Sequence, residues 1–340
     1  MIARRLASAE LPGPRCCVAR CARAMARCGM RPLLCAIAAL AGHPLVAQES
    51  STPDQAPAEI VAAAPAADWV RIAPSDLLAM ELAPSRDGAP RRVTIQLIAP
   101  PFSEAWVDNI RKLAASHWWD GLSVNRVQDN YVVQWGDPDA EDSTKARALP
   151  RALAVPDENA YLIPRRRLTP AARGGAALER DSYAASTGFT ATGWPYASDG
   201  DSAWPVHCYG MVGVGRGLSP DTGTGAELYA VIGHAPRHLD RNIALVGRVI
   251  EGIEHLSSLP RGTGQLGFYE TAGERLQIVS IRLLSELEID PVPAFEFLST
   301  ASEAFARYVE ARANRRDDFF IQPAGGADIC NIPVPVRRAN

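Results

Sequence analysis

The stretch WDGLSVNRVQDNYVVQWGDPD, residues 119–139, decides the fold of this 340-residue chain. It holds two short apolar segments, residues 122–127 and 131–135, and the polar triplet QDN lies between them. Short apolar runs bounded by turn-forming residues are typical of β-strands. The stretch therefore predicts two short strands joined by a turn.

Similar strand patterns flank this stretch on both sides. Val93, Ile95 and Leu97 alternate with Thr94 and Gln96, which is the period of a strand with one face turned inward. Further strand patterns cover residues 77–82, 206–214, 227–233, 243–251 and 275–284, and helical periodicity covers residues 105–114 and 295–309. Many short strands and two good helices predict a mainly β fold, built as a closed β-barrel with helical plugs.

The opening stretch resembles the central signature of the cyclophilin family of peptidyl-prolyl cis-trans isomerases. In that signature an Asp-Gly turn precedes a strand that ends in an arginine. An aromatic residue and a glutamine then flank an apolar pair. The matching positions in this sequence are Asp120-Gly121, Arg126, Tyr131 and Gln134, and the spacing matches without a gap.

Three later segments resemble the same family in the same order. They are HCYGMVGVGRG from His207, TGTGAELYAVIG from Thr222 and HLDRNIALVGRVIEGIEHLSSL from His238. The resemblance implies a cyclophilin-like domain over residues 68–288, interrupted by an insertion at about 138–205. It also implies the fold, which is a closed antiparallel β-barrel with flanking helices.

The chemistry of the family explains which residues are needed. The peptide bond resists rotation with a barrier of about 18–20 kcal/mol, and a fixed guanidinium beside the proline stabilises the twisted bond. By resemblance, Arg126 is the catalytic arginine and Gln134 orients it. The same resemblance assigns substrate binding to Tyr131, Val132, Val212, Gly213, Glu227, Tyr229, His238, Leu239 and Ile243. The reaction requires no cofactor and no metal, and its substrates are unfolded or proline-containing polypeptides.

Taken singly, these residues have simpler interpretations. An arginine at a strand end is commonly solvated, and Tyr131 and Val132 also suit an ordinary barrel core. The catalytic interpretation depends on the ordered match of several segments rather than on any one residue.

Four groove positions depart from the family pattern. Gly213, Glu227, His238 and Ile243 stand where the family has asparagine, glutamine, tryptophan and histidine. Glu227 brings a carboxylate near Arg126, and an ion pair between them would occupy the guanidinium. The alternative function is therefore a cyclophilin-like chaperone or binding module with weak or no catalysis.

The first 47 residues differ in kind from the rest. They hold seven arginines against one glutamate, and they end in an uncharged, largely apolar run over residues 32–47. This order predicts a signal peptide cleaved after Ala47, with an uncleaved anchor as the alternative and Met1, Met25 or Met30 as the start. Export then predicts a periplasmic protein without stable membrane insertion. Residues 48–67, rich in Ala and Pro, predict a flexible tether.

The net charge bears on the class of partner, and the cysteines bear on a possible disulfide. The chain has 35 basic and 38 acidic residues, and removing the leader's seven arginines and one glutamate leaves 28 and 37, a net charge of −9. This acidity argues against nucleic acid as a partner. Cys208 and Cys330 remain outside the leader, as one disulfide or as two separate buried thiols. We expect a monomer.

Two regions lie outside the family pattern. Residues 138–205 are polar and irregular, with Arg165-Arg166-Arg167 among them, and predict a long stretch without regular structure. Residues 289–340 predict a C-terminal helix and tail. We expect this extension either to dock a partner or to cover the barrel. In the second case, Cys330 forms a disulfide with Cys208.

Other motifs are set aside on physical grounds. GTGQLG, residues 262–267, fits a dinucleotide-binding pattern, but no helix follows it to hold phosphates. His234 and His238 are four residues apart, but Pro236 argues against one helical face and so against a metal site. His207 is isolated in the sequence and predicts a structural role.

Overall fold

The computed structural model describes residues 54–171, 181–288 and 291–339. The chain divides into two units, Met1–Ser50 and Ser51–Asn340, and every described residue belongs to the second. The strands of the described residues are β1 (Trp69–Arg71), β2 (Leu77–Leu82), β3 (Arg91–Leu97), β4 (Ser123–Val127), β5 (Val132–Gly136), β6 (Ile163–Pro164), β7 (Ser186–Phe189), β8 (Pro195–Ser198), β9 (Ser202–Pro205), β10 (Met211–Val214), β11 (Leu228–Val231), β12 (Leu245–Glu251), β13 (Leu276–Leu283), β14 (Phe295–Leu298) and β15 (Val336–Arg338). The helices of the same residues are α1 (Pro57–Ala62), α2 (Glu104–Ala115), α3 (Glu254–Ser257) and α4 (Glu303–Ala313).

Eight strands close into a barrel in the order β10-β11-β5-β4-β13-β2-β3-β12, and all neighbours are antiparallel. The predicted closed antiparallel barrel is thereby confirmed. Apolar side chains from every part of it are completely buried, among them Leu77, Val93, Val124, Val214 and Leu245. Removing such surface from water stabilises the barrel by about 25 cal/mol per Å².

The hairpin β4–β5 is the folded form of the stretch that predicted it. Val124 pairs with Trp135 and, after a register shift, Arg126 pairs with Gln134. Asn130 turns the chain between the strands with a φ of 50°, in the left-handed region that asparagine tolerates. The register places Arg126 and Gln134 side by side on adjacent strands.

Strand β3 is buried on both faces. Thr94 and Gln96 are 2% and 5% exposed, although the period-two pattern predicts only one inward face. The insertion covers the second face, because Arg248 of β12 donates hydrogen bonds both to Gln96 Oε1 at 2.9 Å and to the Gly193 carbonyl at 3.0 Å.

The second half of the insertion is folded. Strands β6 to β9 form a four-stranded antiparallel sheet in the order β6-β9-β8-β7. The expectation of irregular structure over residues 138–205 is therefore wrong for the residues of β6 to β9. Phe189, Trp194 and Trp204 anchor this sheet and are at most 3% exposed. Each strand is four residues long or shorter, which is too short for a period in the sequence to be detected.

The C-terminal extension contributes strands as well as a helix. Phe295–Leu298 forms β14, which pairs with β1 on one side and β15 on the other. The helical pattern predicted over residues 295–309 is therefore wrong at its start. Phe295 and Phe297 are buried and Glu296 between them is only half-buried, and pairing with β1 and β15 makes these residues a strand.

The C-terminal helix α4 begins at Glu303. The Ser302 hydroxyl caps it by accepting a hydrogen bond from the backbone N–H of Phe305 at 3.1 Å. Phe305, Tyr308 and Val309 are buried, and they are three of the residues whose spacing predicts a helix. The latter part of the helical prediction is therefore correct.

The described part of the predicted tether is packed. Helix α1 has Pro57 at its first position and lies against α4, and Ile60 is 4% exposed. The prediction of a flexible tether over residues 48–67 is therefore wrong for the residues of α1. The predicted signal peptide and its cleavage after Ala47 lie outside the described residues. None of the described helices has both the length and the apolar character that crossing a bilayer requires.

A disulfide joins Cys208 to Cys330, 122 residues further along the chain. The structure thus contains the bond rather than two separate thiols. Cys208 lies just before barrel strand β10, and Cys330 lies in the C-terminal tail. The bond ties the extension to the barrel, and a cross-link over so long a loop restricts the unfolded chain.

Candidate active site

Arg126 lies on β4 and is held by three acceptors. Its Nε donates to the Leu266 carbonyl at 2.7 Å, its Nη1 to Gln134 Oε1 at 3.3 Å, and its Nη2 to Gln128 Oε1. A guanidinium carries five N–H donors, so two of them have no acceptor in these bonds. Burial lowers the pKa of Arg126, and the neighbouring Tyr131 opposes this effect.

Two aromatic rings flank the Arg126 guanidinium. Its Cζ lies 5.7 Å from the ring centroid of Tyr131 and 5.2 Å from that of Phe268, within the range of cation–π attraction. Phe268 also forms an isolated β-bridge with Arg126 and remains 41% exposed. The side chain is thus held in place at an accessible edge.

The loop that carries Leu266 and Phe268 was missed by sequence reasoning. Its glycines belong to the GTGQLG pattern, and the structure gives them a packing role. A Cβ on Gly262 would lie 1.9 Å from the Gly267 carbonyl oxygen, and Gly267 itself has a φ of +79°. The glycine spacing was the signal, because it marks a loop that folds back on itself beside Arg126.

A small apolar cluster lies next to the arginine. Val132, Tyr229 and Val231 are its buried members, and Tyr131 and Ile243 pack against it half-buried. β5 and β11 bring the first three together, since Val132 pairs with Val231 and Tyr229 with Gln134. Four of the predicted substrate-binding residues therefore share one cluster.

The other predicted pocket residues lie around or below this cluster. His238 is exposed, and its ring is nearly parallel to that of Tyr131 with 6.3 Å between centroids. Leu239 ends the turn Arg237–Leu239 and is half-buried outside the cluster. Val212 packs into the main barrel core instead.

Gly213 pairs with Tyr229 across β10 and β11, and its lack of a side chain is required there. A Cβ on Gly213 would lie 2.3 Å from both Cζ and the hydroxyl oxygen of Tyr229. The glycine that replaces the family's asparagine therefore makes room for the tyrosine ring.

Tyr229 ends a buried hydrogen-bond chain. Its hydroxyl is 2.9 Å from His207 Nε2, and His207 Nδ1 is 2.9 Å from Asp240 Oδ1. Asp240 also accepts from Arg237 Nε at 2.6 Å, and Arg237 in turn donates to Asp181 at 2.8 Å. The structural role predicted for His207 is confirmed, and its partners lie on distant segments that only folding brings together.

The protonation of this chain follows from its burial. His207 is 0% exposed, and burial lowers its pKa although the hydrogen bond to Asp240 opposes the shift. A carboxylate only accepts, so the neutral imidazole donates from Nδ1 to Asp240 and accepts at Nε2 from the Tyr229 hydroxyl. Burial also raises the pKa of Tyr229, so the hydroxyl keeps its proton.

Glu227 does not pair with Arg126. No ion pair joins the two in the described part of the chain, and Gln134 lies between them. Its Oε1 accepts from Arg126, and its side chain hydrogen-bonds Glu227. Glu227 Oε1 is buried without a hydrogen-bond partner among the described residues, and a Cβ on Gly136 would lie 2.0 Å from it. Gln134 thus bridges Arg126 and Glu227 by hydrogen bonds in place of the expected ion pair.

Burial raises the pKa of Glu227 to about 7, and the hydrogen bonds from Gln134 and the backbone N–H of Asp137 only partly oppose this. The carboxyl borders a cavity of about 370 Å³ that Gln134 and Phe268 also line. Within the described residues, no group of three or more His, Cys, Asp or Glu side chains is arranged to hold a metal ion.

The family model for cyclophilin type peptidyl-prolyl cis-trans isomerase/CLD matches residues 91–282. This match spans more than half of the chain, and the chain belongs to the cyclophilin-type peptidyl-prolyl cis-trans isomerase family. Enzymes of this family act on proline-containing polypeptides.

Solved structures of cyclophilins are similar to this chain. Cyclophilin AquaCyp293 from Hirschia baltica matches with a TM-score of 0.59 and 23% identity, over 79% of this chain and 93% of that chain. A cyclophilin type peptidyl-prolyl cis-trans isomerase from Cryptosporidium parvum has a TM-score of 0.37 and 12% identity, over 61% and 96% of the respective chains. The first similarity shows the fold. A comparison with curated proteins finds no match.

Proposed function

We propose that the protein catalyses prolyl isomerisation with Arg126 as the catalytic residue and Gln134 as the residue that positions it. Rotation about the bond before proline breaks no covalent bond, and its barrier comes from partial double-bond character. Twisting that bond ends its resonance and localises a lone pair on the nitrogen. A donor held ready for that lone pair lowers the barrier without reorganisation.

The observation that carries this proposal is the state of the Arg126 guanidinium. Three acceptors hold it, it is half-buried, and it retains two N–H groups outside these bonds. Such a group is both oriented and available. In the same proposal Tyr131 and Ile243 form the walls that contact the proline ring, above a floor of Val132 and Tyr229.

The test is an exchange measurement by NMR on a peptide containing one Xaa-Pro bond. Arg126→Ala is expected to lower kcat/KM by about 100-fold or more, as removal of one preorganised donor does in other enzymes. Arg92→Ala is the matched control, because Arg92 is exposed and pairs with Glu81 on the barrel surface. No rate enhancement by the unmodified protein, or full activity of Arg126→Ala, would contradict the proposal.

A second candidate function is binding of proline-containing chains without useful catalysis. It is favoured by the low exposure of the pocket floor, since Val132 and Tyr229 are only 3% and 4% exposed. A floor so little exposed offers the proline ring only a shallow pocket, which holds the twisted state weakly. Saturable peptide binding with no acceleration of exchange would support this second function over the first.

The cellular role is proposed as assistance to the folding of exported proteins in the periplasm, by a monomer that does not bind nucleic acid. The basic, then apolar leader supports export. The Cys208–Cys330 disulfide suits an oxidising compartment. The test is N-terminal sequencing of the protein recovered from the periplasmic fraction. A start at Gln48 is expected, and recovery of an intact leader in the cytoplasmic fraction would contradict the role.

A further inference from the structure

A second and larger cavity, of about 730 Å³, shares no lining residue with the cavity beside Glu227. Its walls come from helix α1, barrel strands β10 and β12, helix α4 and the tail at residues 329–336. Most of the lining side chains are apolar, and Met211, Ile250, Val334 and Val336 are among them. Its size falls in the range of about 300–1,000 Å³ that is typical of small-molecule sites.

Arg248 lines this cavity and lacks a charged partner. The residue is 8% exposed, and it donates from Nε to Gln96 and from Nη1 to the Gly193 carbonyl, both neutral acceptors. Its Nη2 is buried without a hydrogen-bond acceptor among the described residues. The ring of Trp194, 4.6 Å from Cζ, compensates the charge only in part.

The burial of the Arg248 guanidinium without a charged partner makes this group more acidic than an ordinary arginine. Burial lowers the pKa of Arg248 to about 9. An unpaired buried cation is destabilising, and proteins normally supply such a group with a carboxylate. An anion in the cavity would supply what the chain itself does not.

The charge of the lining points to the same kind of ligand. Arg312 is the second basic residue of the lining, and no Asp or Glu is among the described residues that form it. The chain as a whole has more acidic than basic residues, 38 against 35, so an arginine-bearing cavity free of acid is unlike the rest of the molecule. Its chemistry is complementary to one negative charge carried on an apolar body.

We propose that this cavity binds a monocarboxylate with an unbranched apolar tail, of the fatty-acid type. The carboxylate neutralises the charge of the Arg248 guanidinium, whose own hydrogen bonds go only to the neutral acceptors Gln96 and Gly193. The tail lies among the apolar side chains contributed by β10, β12 and the C-terminal tail. The site is separate from Arg126, so it adds a ligand to the isomerase rather than a second substrate position.

The test measures the binding of dodecanoate to the whole protein by calorimetry. Dodecanoate is kept below its micelle concentration. Dodecanoate is expected to bind at least about tenfold more tightly than dodecanol, because the alcohol has the same tail without the charge. Arg248→Met is expected to weaken the binding of dodecanoate by about tenfold or more and to leave the affinity for dodecanol unchanged. Equal affinities of acid and alcohol, or no binding of dodecanoate, would overturn the proposal.

A second pair of variants keeps the test decisive if Arg248→Met does not fold. Ala58 is exposed on α1 and lines the cavity, whereas Ala63 is exposed just beyond α1 and does not line it. Ala58→Trp is expected to abolish dodecanoate binding by filling the mouth, and Ala63→Trp to leave it intact. Arg126→Ala is expected to bind dodecanoate normally. Unchanged binding by Ala58→Trp would place the ligand elsewhere and overturn the assignment.

Discussion

The hydroxyl of Tyr229 lies 2.9 Å from His207 Nε2, so a residue of the apolar cluster beside Arg126 is hydrogen-bonded to a fully buried histidine. Asp240 fixes the imidazole from the other side. The tyrosine ring therefore has one orientation, and Gly213 leaves the space for it. A residue that the sequence assigns only to the apolar pocket is also one end of a polar chain in the fold.

Removing the Tyr229 hydroxyl should destabilise the protein. Tyr229→Phe leaves His207 Nε2 buried without a donor, which costs about 1–3 kcal/mol of the free energy of unfolding. Urea denaturation at neutral pH measures this loss. Tyr209→Phe is the control, because Tyr209 is 51% exposed, and it should change stability little. Equal stability of the two variants would show that the hydrogen bond contributes nothing.

Adding a single methyl group at Gly213 should also be costly. Gly213→Ala places a Cβ 2.3 Å from the Tyr229 ring, and such overpacking costs about 1–3 kcal/mol. Gly273→Ala is the matched control, since nothing lies within 4 Å of its added Cβ. In the Gly213→Ala, Tyr229→Ala double variant the two losses should not add, because the clash is gone. Additive losses would mean that the ring is not the obstacle.

Stability should depend on pH through Glu227. Its pKa is raised from 4.5 to about 7 in the folded protein, so the folded state binds the proton more tightly than the unfolded state does. This contribution is complete below about pH 4.5 and is lost as the pH rises through about 7. Glu227→Gln should therefore become progressively more stable than the unmodified protein between these two pH values.

The measurement is the urea midpoint of both proteins at pH 5 and pH 8. Glu141→Gln serves as the control, because Glu141 lines the same cavity but is exposed. A difference between Glu227→Gln and the unmodified protein that stays constant across the range would contradict the buried, protonated carboxyl.

Loss of the Cys208–Cys330 bond should loosen the C-terminal extension. Cys330→Ser frees a loop of 122 residues, and removal of such a native cross-link costs about 2–5 kcal/mol. Denaturation with and without reductant measures it, and reductant should affect only the unmodified protein. Limited proteolysis should then cut the variant first within the tail. A variant as stable as the oxidised protein would show that packing alone holds the extension.

Much of the barrel was predictable because its signals are local. The hairpin of residues 119–139 has its turn and both strands in one stretch, and the structure pairs Arg126 with Gln134 as the family pattern implies. The errors fall where local signals compete or are too short. Phe295–Leu298 satisfies both a helical and a period-two spacing, and pairing with β1 decides for the strand.

The sequence by itself predicted the closed barrel, from its strand pattern and its resemblance to the family, and the grouping of Arg126, Gln134 and Tyr131, because these three lie along one hairpin. The tertiary structure decided the rest. The His207–Tyr229 bond, the separation of Glu227 from Arg126 and the unpaired Arg248 all depend on distances between segments far apart in the chain. Side-chain hydrogen bonds form over about 3 Å, and only the closed barrel with its covering insertion and tail sets which groups come that near.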